Sequence, residues 1–286
     1  MKIAILGKGG SGKSSVSWLL SEYLSRRPSA QVLAIDADHN MDLTSCLGLE
    51  EFPEEKYFFR AHGHTREILG LAAGEHWVQQ FTREEGVNWP AHYAPADDFL
   101  APYAVSVRPG LDLLNVGLGA DEIMYAGKCA HGHCAPLKYY LPRLKLSQNA
   151  HVVLDSVAGA DMVNYGLYFG FDAVLCVVED YRNSLKIARQ LHALLSEQGL
   201  PLYFVLNKYN DPSEEMREFE TTFAKNIVGR IPLDSFVRRY DFAQLTPRTI
   251  QALEAIVSRL TLFTEEQKDQ LTLLKAFDLK KHAQKI

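Results

Sequence analysis

Residues 2–15, KIAILGKGGSGKSS, decide the fold of this 286-residue chain. An apolar run, Lys2 to Leu6, enters a turn that holds Gly7, Gly9, Gly10 and Gly12, and the pattern then changes to the helical periodicity of VSWLLSEYL, residues 16–24. Gly7, Gly12, Lys13 and Ser14 fit the pattern G-x-x-x-x-G-K-[ST] in the strand–turn–helix setting that the pattern requires. Glycines let backbone N–H groups turn inward around phosphate oxygens, and the helix N-terminus adds positive potential. Lys13 then reaches the β- and γ-phosphates and Ser14 holds Mg²⁺. Lys8 is left over: a phosphate turn needs one lysine, and this one has two.

Outward from that stretch, short β-branched runs alternate with helical patterns. QVLAID (31–36) precedes MDLTSCLGL (41–49), HVVLDS spans 151–156, DAVLCVVE (172–179) precedes SLKIARQLHALLSEQG (184–199), and LYFVLN follows at 202–207. These runs are apolar on both faces, as buried strands of a parallel sheet are. They predict an α/β fold, a mostly parallel twisted sheet with helices on both faces. The chain reads as a single domain over 1–286. An irregular insertion at about 50–110, rich in aromatic residues and histidine, returns to strand only at LDLLNVG (111–117), and a helical tail covers about 264–286. Within the insertion His62, His64, Trp77 and Trp89 are either a docking surface or core.

Composition narrows the function. The chain is 47% hydrophobic and 23% charged, so it is globular rather than disordered. Acidic side chains outnumber basic ones by 35 to 30, with no basic block, which argues against nucleic acid as a partner. There is no secretory leader and no membrane-spanning apolar stretch, so a cytoplasmic location is expected. There the four cysteines, Cys46, Cys129, Cys134 and Cys176, are reduced thiols. In the tail, Leu271, Leu274 and Phe277 beside Lys275, Lys280, Lys281 and Lys285 suit either a helix packed on its own domain or one lying on a membrane surface.

The stretch KGGSGKSS (8–15) resembles the deviant Walker A motif of the MinD/ParA/nitrogenase-iron-protein class of P-loop ATPases. The resemblance implies that Gly9, Gly10, Ser11, Gly12, Lys13, Ser14 and Ser15 wrap ATP. It also implies that Lys8 contacts phosphates held by the other subunit of an ATP-bridged homodimer. DADHNMDL (36–43) resembles the first switch of that class: Asp38 matches the carboxylate that positions the attacking water. Asp42 sits where an outer-sphere Mg²⁺ ligand is expected, although it would equally cap the next helix. Asp155 ends its strand as a second Mg²⁺ carboxylate would, with Ala158 and Gly159 free to bring backbone amides to the γ-phosphate. VLNKYND (205–211) resembles the base-reading strand end, with Asn207 on the adenine edge. Asn210 lacks the carboxylate that guanine requires, which favours ATP over GTP. In GRIPLDSFVRR (229–239), Pro232 is an adenine contact or a turn former.

GKCAHGHCAPLKYYL (127–141) addresses the purpose of hydrolysis. Cys129 and Cys134 are spaced C-x₄-C around His131 and His133, and thiolate and imidazole suit nickel and zinc. The pattern is similar to the dimer-bridging cysteines of the CooC-type ATPases, which load nickel into carbon monoxide dehydrogenase, although those cysteines are closer, C-x-C. The resemblance implies Ni²⁺ or Zn²⁺ held by Cys129 and Cys134 from two chains, and a client metalloenzyme such as carbon monoxide dehydrogenase. Core packing of the two thiols is the competing account, and His131 or His133 could replace one of them. An iron protein with a [4Fe–4S] cluster would need a further cysteine after the second switch, where DSVAGADMVNYG (155–166) has none. From a different class comes a positional or partition-type ATPase acting by ATP-dependent membrane or partner binding.

Overall fold

The apolar runs become the strands of one large sheet in the computed structural model, which describes residues 1–38, 40–68, 92–93, 99–117, 134–141, 144–159, 167–197 and 202–261. The strands are β1 (Lys2–Gly7), β2 (Gln31–Asp36), β3 (His92–Tyr93), β4 (Val105–Arg108), β5 (Leu111–Asn115), β6 (Lys145–Leu146), β7 (Ala150–Asp155), β8 (Ala173–Val178), β9 (Leu202–Tyr209) and β10 (Ile227–Pro232). Eight of them are ordered β10-β9-β8-β1-β7-β2-β5-β4, and β3 and β6 form a separate parallel pair. Every neighbouring pair in the large sheet is parallel except β4 with β5. The helices are α1 (Lys13–Ser25), α2 (Asp42–Cys46), α3 (His62–Ile68), α4 (Ala135–Tyr140), α5 (Arg182–Glu197), α6 (Glu214–Thr222) and α7 (247–261).

Both faces of the sheet are covered, which is why the strands are apolar throughout. Ala4, Leu6, Leu33, Ile35, Val152 and Leu154 point to one side, into the buried cluster that also holds Leu185, Ala188, Leu191 and Leu195 of α5 and Leu137 and Tyr140 of α4. Ile3, Ile5, Val32, Ala34 and Val153 point to the other, against α1 and the Leu253, Ile256 and Val257 face of α7. A strand alternates its side chains between faces, so a continuous hydrophobic run is the sequence of a strand with helices on both sides.

The insertion departs from expectation in its strands. It contains the two-residue β3, and the large sheet resumes at Val105, six residues before LDLLNVG, because β4 folds back on β5 through the Pro109–Gly110 turn as an antiparallel edge. Four residues alternating Val-Ser-Val-Arg are too short a periodic signal to read, and the turn supplies the pairing. Arg108 then ties this edge to α1 through Glu22 at 2.7 Å. The ring of Phe58 meets Phe99, Tyr103 and Tyr140 edge-on at 5.4–6.2 Å, so the insertion and α4 share one aromatic cluster. His64 stacks on Phe99 within it. Trp77, Trp89 and the tail from 264 lie outside the described residues.

Candidate functional site

Parallel strands bring their C-terminal ends to one side of the sheet, and there β1, β7, β2 and β9 set the candidate residues together. The phosphate loop runs from Gly7 to Lys13. Gly7 has φ 149°, and a Cβ there would sit 2.7 Å from the Val177 carbonyl and 2.8 Å from Ser11 Oγ. Gly12 has φ 86°, and its Cβ would collide with the Asn207 amide. The loop is therefore pressed against the ends of β8 and β9, which only bare backbone permits. No side chain caps the start of α1, leaving its first-turn amides for an anion. Lys13 is buried beneath the loop.

Two carboxylates stand side by side under it. Asp36 and Asp155 are register partners on β2 and β7, and both are fully buried. Asp36 Oδ2 accepts from the Thr44 amide at 2.9 Å and the Thr44 hydroxyl at 2.8 Å, and Asn115 donates to that hydroxyl at 2.8 Å. Burial raises Asp36 to about 6 against these hydrogen bonds. Asp155 rises further, to about 7: burial is the main cause and the Asp36 charge adds to it, while the Ser14 hydroxyl, Lys13 and Ser17 pull it down. Ser17 Oγ donates to Asp155 Oδ1 at 3.1 Å, and Asp155 Oδ2 finds no hydrogen-bond partner among the described residues. An orphaned, buried carboxylate oxygen beside a hydroxyl and a second carboxylate is an all-oxygen donor set suited to Mg²⁺, whose charge would relieve the cost of ionising Asp155. Asp36 and Ser17 thus join the site. Asp36 was legible only as a strand end, and its role depends on facing Asp155 across two strands.

Asp38 follows at the surface, half-buried, its carboxylate accepting from the Asn40 amide at 3.2 Å and its own amide directed to Asp36 Oδ1 at 3.4 Å. Asp42 stands exposed in the first turn of α2 and acts electrostatically on Cys46 and Tyr240. No hydrogen bond joins it to Ser14 or Asp155 among the described residues. Gly159 is not free: its amide donates to the Gly7 carbonyl at 3.0 Å, which ties the segment after β7 to the phosphate loop. Asn207 is similarly engaged, its Nδ2 donating to the Ser11 carbonyl at 2.9 Å, so β9 braces the loop. Pro232 ends β10 with Leu233, 61% exposed, beside it.

Lys8 behaves differently from Lys13. It lies at the loop surface and its Nζ donates to the Gly9 carbonyl at 3.1 Å. Of the thiol pair, Cys134 is described and Cys129, His131 and His133 lie outside the described residues. Cys134 begins α4, half-buried and packed on the hydrophobic core, and burial pushes its thiol up to about 11 while Lys138 opposes the shift. Cys46 and Cys176 are buried core thiols, as their apolar surroundings predict. No group of three or more His, Cys, Asp or Glu able to hold a metal occurs among the described residues.

The loop, the paired strand-end carboxylates and the parallel sheet define a P-loop nucleotide-binding site, and the chain belongs to the CobQ/CobB/MinD/ParA nucleotide binding domain family, whose profile it matches over residues 2–246. It is an ATPase of this class. Among its relatives is the carbon monoxide dehydrogenase accessory protein CooC of Rhodospirillum rubrum, 27% identical over 248 residues that cover 86% of this chain and 89% of that one. An uncharacterized ATP-binding protein of Methanocaldococcus jannaschii is also 27% identical, over 76% of this chain and 82% of its own. The fold is shared with a ParA family ATPase from Chlorobium tepidum, with TM-score 0.60 and 18% identity over 91% of this chain and 97% of that one. It is shared as well with MinD from Pyrococcus horikoshii complexed with Mg-ADP, with TM-score 0.57 and 18% identity over 96% of this chain and 98% of that one. ATP and Mg²⁺ are the usual ligands of this family. No helix among the described residues is long and apolar enough to cross a membrane.

Proposed function

We propose that the chain closes into a homodimer around ATP and uses that cycle in metallocentre assembly, delivering or inserting nickel into a carbon monoxide dehydrogenase-like client. The observation that carries this is the near full-length relationship to CooC in a chain that also bears the Cys129–Cys134 pair. Nickel is cargo here, and zinc competes for the same thiolates because raw affinity does not enforce selectivity. One domain spans the chain, its insertion at 50–110 and tail at 264–286 being additions to the ATPase core.

In this mechanism Lys13 and the amides of Gly9 to Ser15 bind the triphosphate. Ser14 and Asp155 would hold Mg²⁺, with Asp36 behind them, and the ion when bound neutralises phosphate charge. Asp38 orients the attacking water and takes its proton, and the Gly159 amide leaves Gly7 to reach the γ-phosphate. Asn207 Oδ1 reads the adenine amine beside Pro232. Lys8 extends to the partner chain's ATP, placing two lysines on each triphosphate. Two chains supply four thiolates for a tetrahedral site, which neither could close alone.

Elemental analysis of the ATP-analogue-bound protein tests the proposal. About one nickel or zinc per two chains is expected, and the Cys129→Ser/Cys134→Ser variant should lack it. Equal metal in both would leave a dimerising ATPase of the partition type. That second reading draws on the likeness in fold to ParA and MinD, and ATP-dependent flotation with liposomes would favour it.

A further inference from the structure

Lys8 has a neighbour that its proposed role does not use. Its Nζ stands 5.3 Å from the centroid of the Tyr181 ring. Tyr181 lies between β8 and α5, and its carbonyl accepts from the Ser184 and Leu185 amides at 2.8 and 3.1 Å. The backbone is thus fixed by the first turn of α5, while the ring remains 54% exposed beside the phosphate loop. The two acids that precede it in sequence face elsewhere. Glu179 is ion-paired with Lys208. Asp180 accepts from the Ser213 amide at 2.6 Å and its hydroxyl at 2.5 Å. An aromatic face, and not a carboxylate, therefore meets the Lys8 ammonium. Such a face attracts an exposed cation weakly, and a ring does not travel with it.

We propose that Tyr181 is a positioning residue for Lys8: it parks the ammonium over its ring while the chain is alone and yields it to the phosphates of an ATP held by a second chain. This rests on the dimer role of Lys8 proposed above. Parking orders the lysine next to its own loop, so it opposes association until ATP on the partner outbids the ring. Releasing one lysine from a cation–π contact at an exposed site costs about two- to fivefold, so the two released per dimer should raise the dimer dissociation constant about four- to twenty-five-fold.

The test is light scattering with a nonhydrolysable ATP analogue on the parent protein, Tyr181→Leu, Tyr181→Phe and Lys8→Ala. Leu keeps apolar bulk but has no π face, and it should tighten the dimer by the stated factor. Phe keeps the ring and should stay near the parent. In nucleotide-free protein, the Lys8 side-chain methylene resonances should show an upfield ring-current shift that Tyr181→Phe retains and Tyr181→Leu loses. Equal behaviour of Leu and Phe, a weaker dimer for Leu, or no ring-current shift overturns the assignment. If Lys8→Ala dimerises as the parent does, the trans role of Lys8 fails. If instead Lys8→Ala stays monomeric while Tyr181→Leu changes nothing, Tyr181 alone is removed.

Discussion

The phosphate loop and the start of α4 are both short polar-to-apolar transitions carrying reactive side chains, yet the tertiary structure treats them oppositely. At the loop, uncapped helix amides, Lys13 and an orphaned Asp155 oxygen all converge on one side of the sheet, and the groups around them are already braced by Asn207 and Gly159. At α4, Cys134 is packed against the hydrophobic core beside the Tyr140 cluster, with its thiol held protonated by burial. Within one chain the first already brings the backbone cradle, Lys13 and both buried carboxylates together. The second, in one chain, offers a core position, and becomes a metal site only with further ligands. Backbone at strand ends preorganises the first site, whereas the thiol site proposed above would be built by symmetry and would wait for its copy.

The comparison would break most sharply at Lys13. Lys13→Ala should weaken ATP binding by about 10²-fold or more, because it removes a buried charge-assisted contact to phosphate, and calorimetry with ATP reads it. Asp38→Asn should bind ATP within about twofold of the parent while turnover falls about 10²-fold or more. Phosphate release measures this, and normal hydrolysis would move the water-positioning role to another carboxylate. For dimer closure, Lys8→Ala should remain monomeric with the nonhydrolysable analogue while still binding it.

A pH prediction sharpens the same contrast. Asp155 at about 7 and Asp36 at about 6, against 3.8 for an ordinary aspartate, mean that the native state binds more protons than the unfolded chain between roughly pH 4 and 7. Nucleotide-free stability therefore falls as pH rises through that window and levels off above it, and Mg²⁺-nucleotide binding should recover the loss. Melting curves between pH 5 and 8 should show this slope in the parent, and Asp155→Asn should flatten it. A parent with no slope would mean that the carboxylates are better solvated than their burial implies. The smallest effect belongs to Cys134→Ser: in metal-free protein it should cost about 1 kcal/mol, since a half-buried thiol gives up modest packing. Urea unfolding reads that cost, and a much larger loss would mark Cys134 as a packing residue first.

Most of the phosphate site was legible because its chemistry is local. Gly7, Gly12, Lys13 and Ser14 lie within one strand–turn–helix, and their spacing alone dictates a phosphate cradle. The parallel α/β sheet was legible for a similar reason, since strands buried on both faces must be apolar throughout. β4 was not, because four alternating residues gain their meaning only from pairing with β5. Asp36 as the neighbour of Asp155, Ser17 as its hydrogen-bond donor, and Asn207 as a brace of the loop were beyond sequence reasoning too. Those contacts join residues 119, 138 and 196 positions apart.

What the sequence by itself determined is therefore the class of site, a deviant phosphate loop opening a helix after a buried strand, since covalent neighbours fix that geometry. The tertiary structure alone decided which groups share it: which carboxylate is orphaned under the loop, that the Gly159 amide is held by Gly7, and that Lys8 faces a ring while Lys13 is buried. Strand order sets those neighbours, and strand order arises from how both faces of the sheet are covered, a property of the whole chain that no short motif encodes.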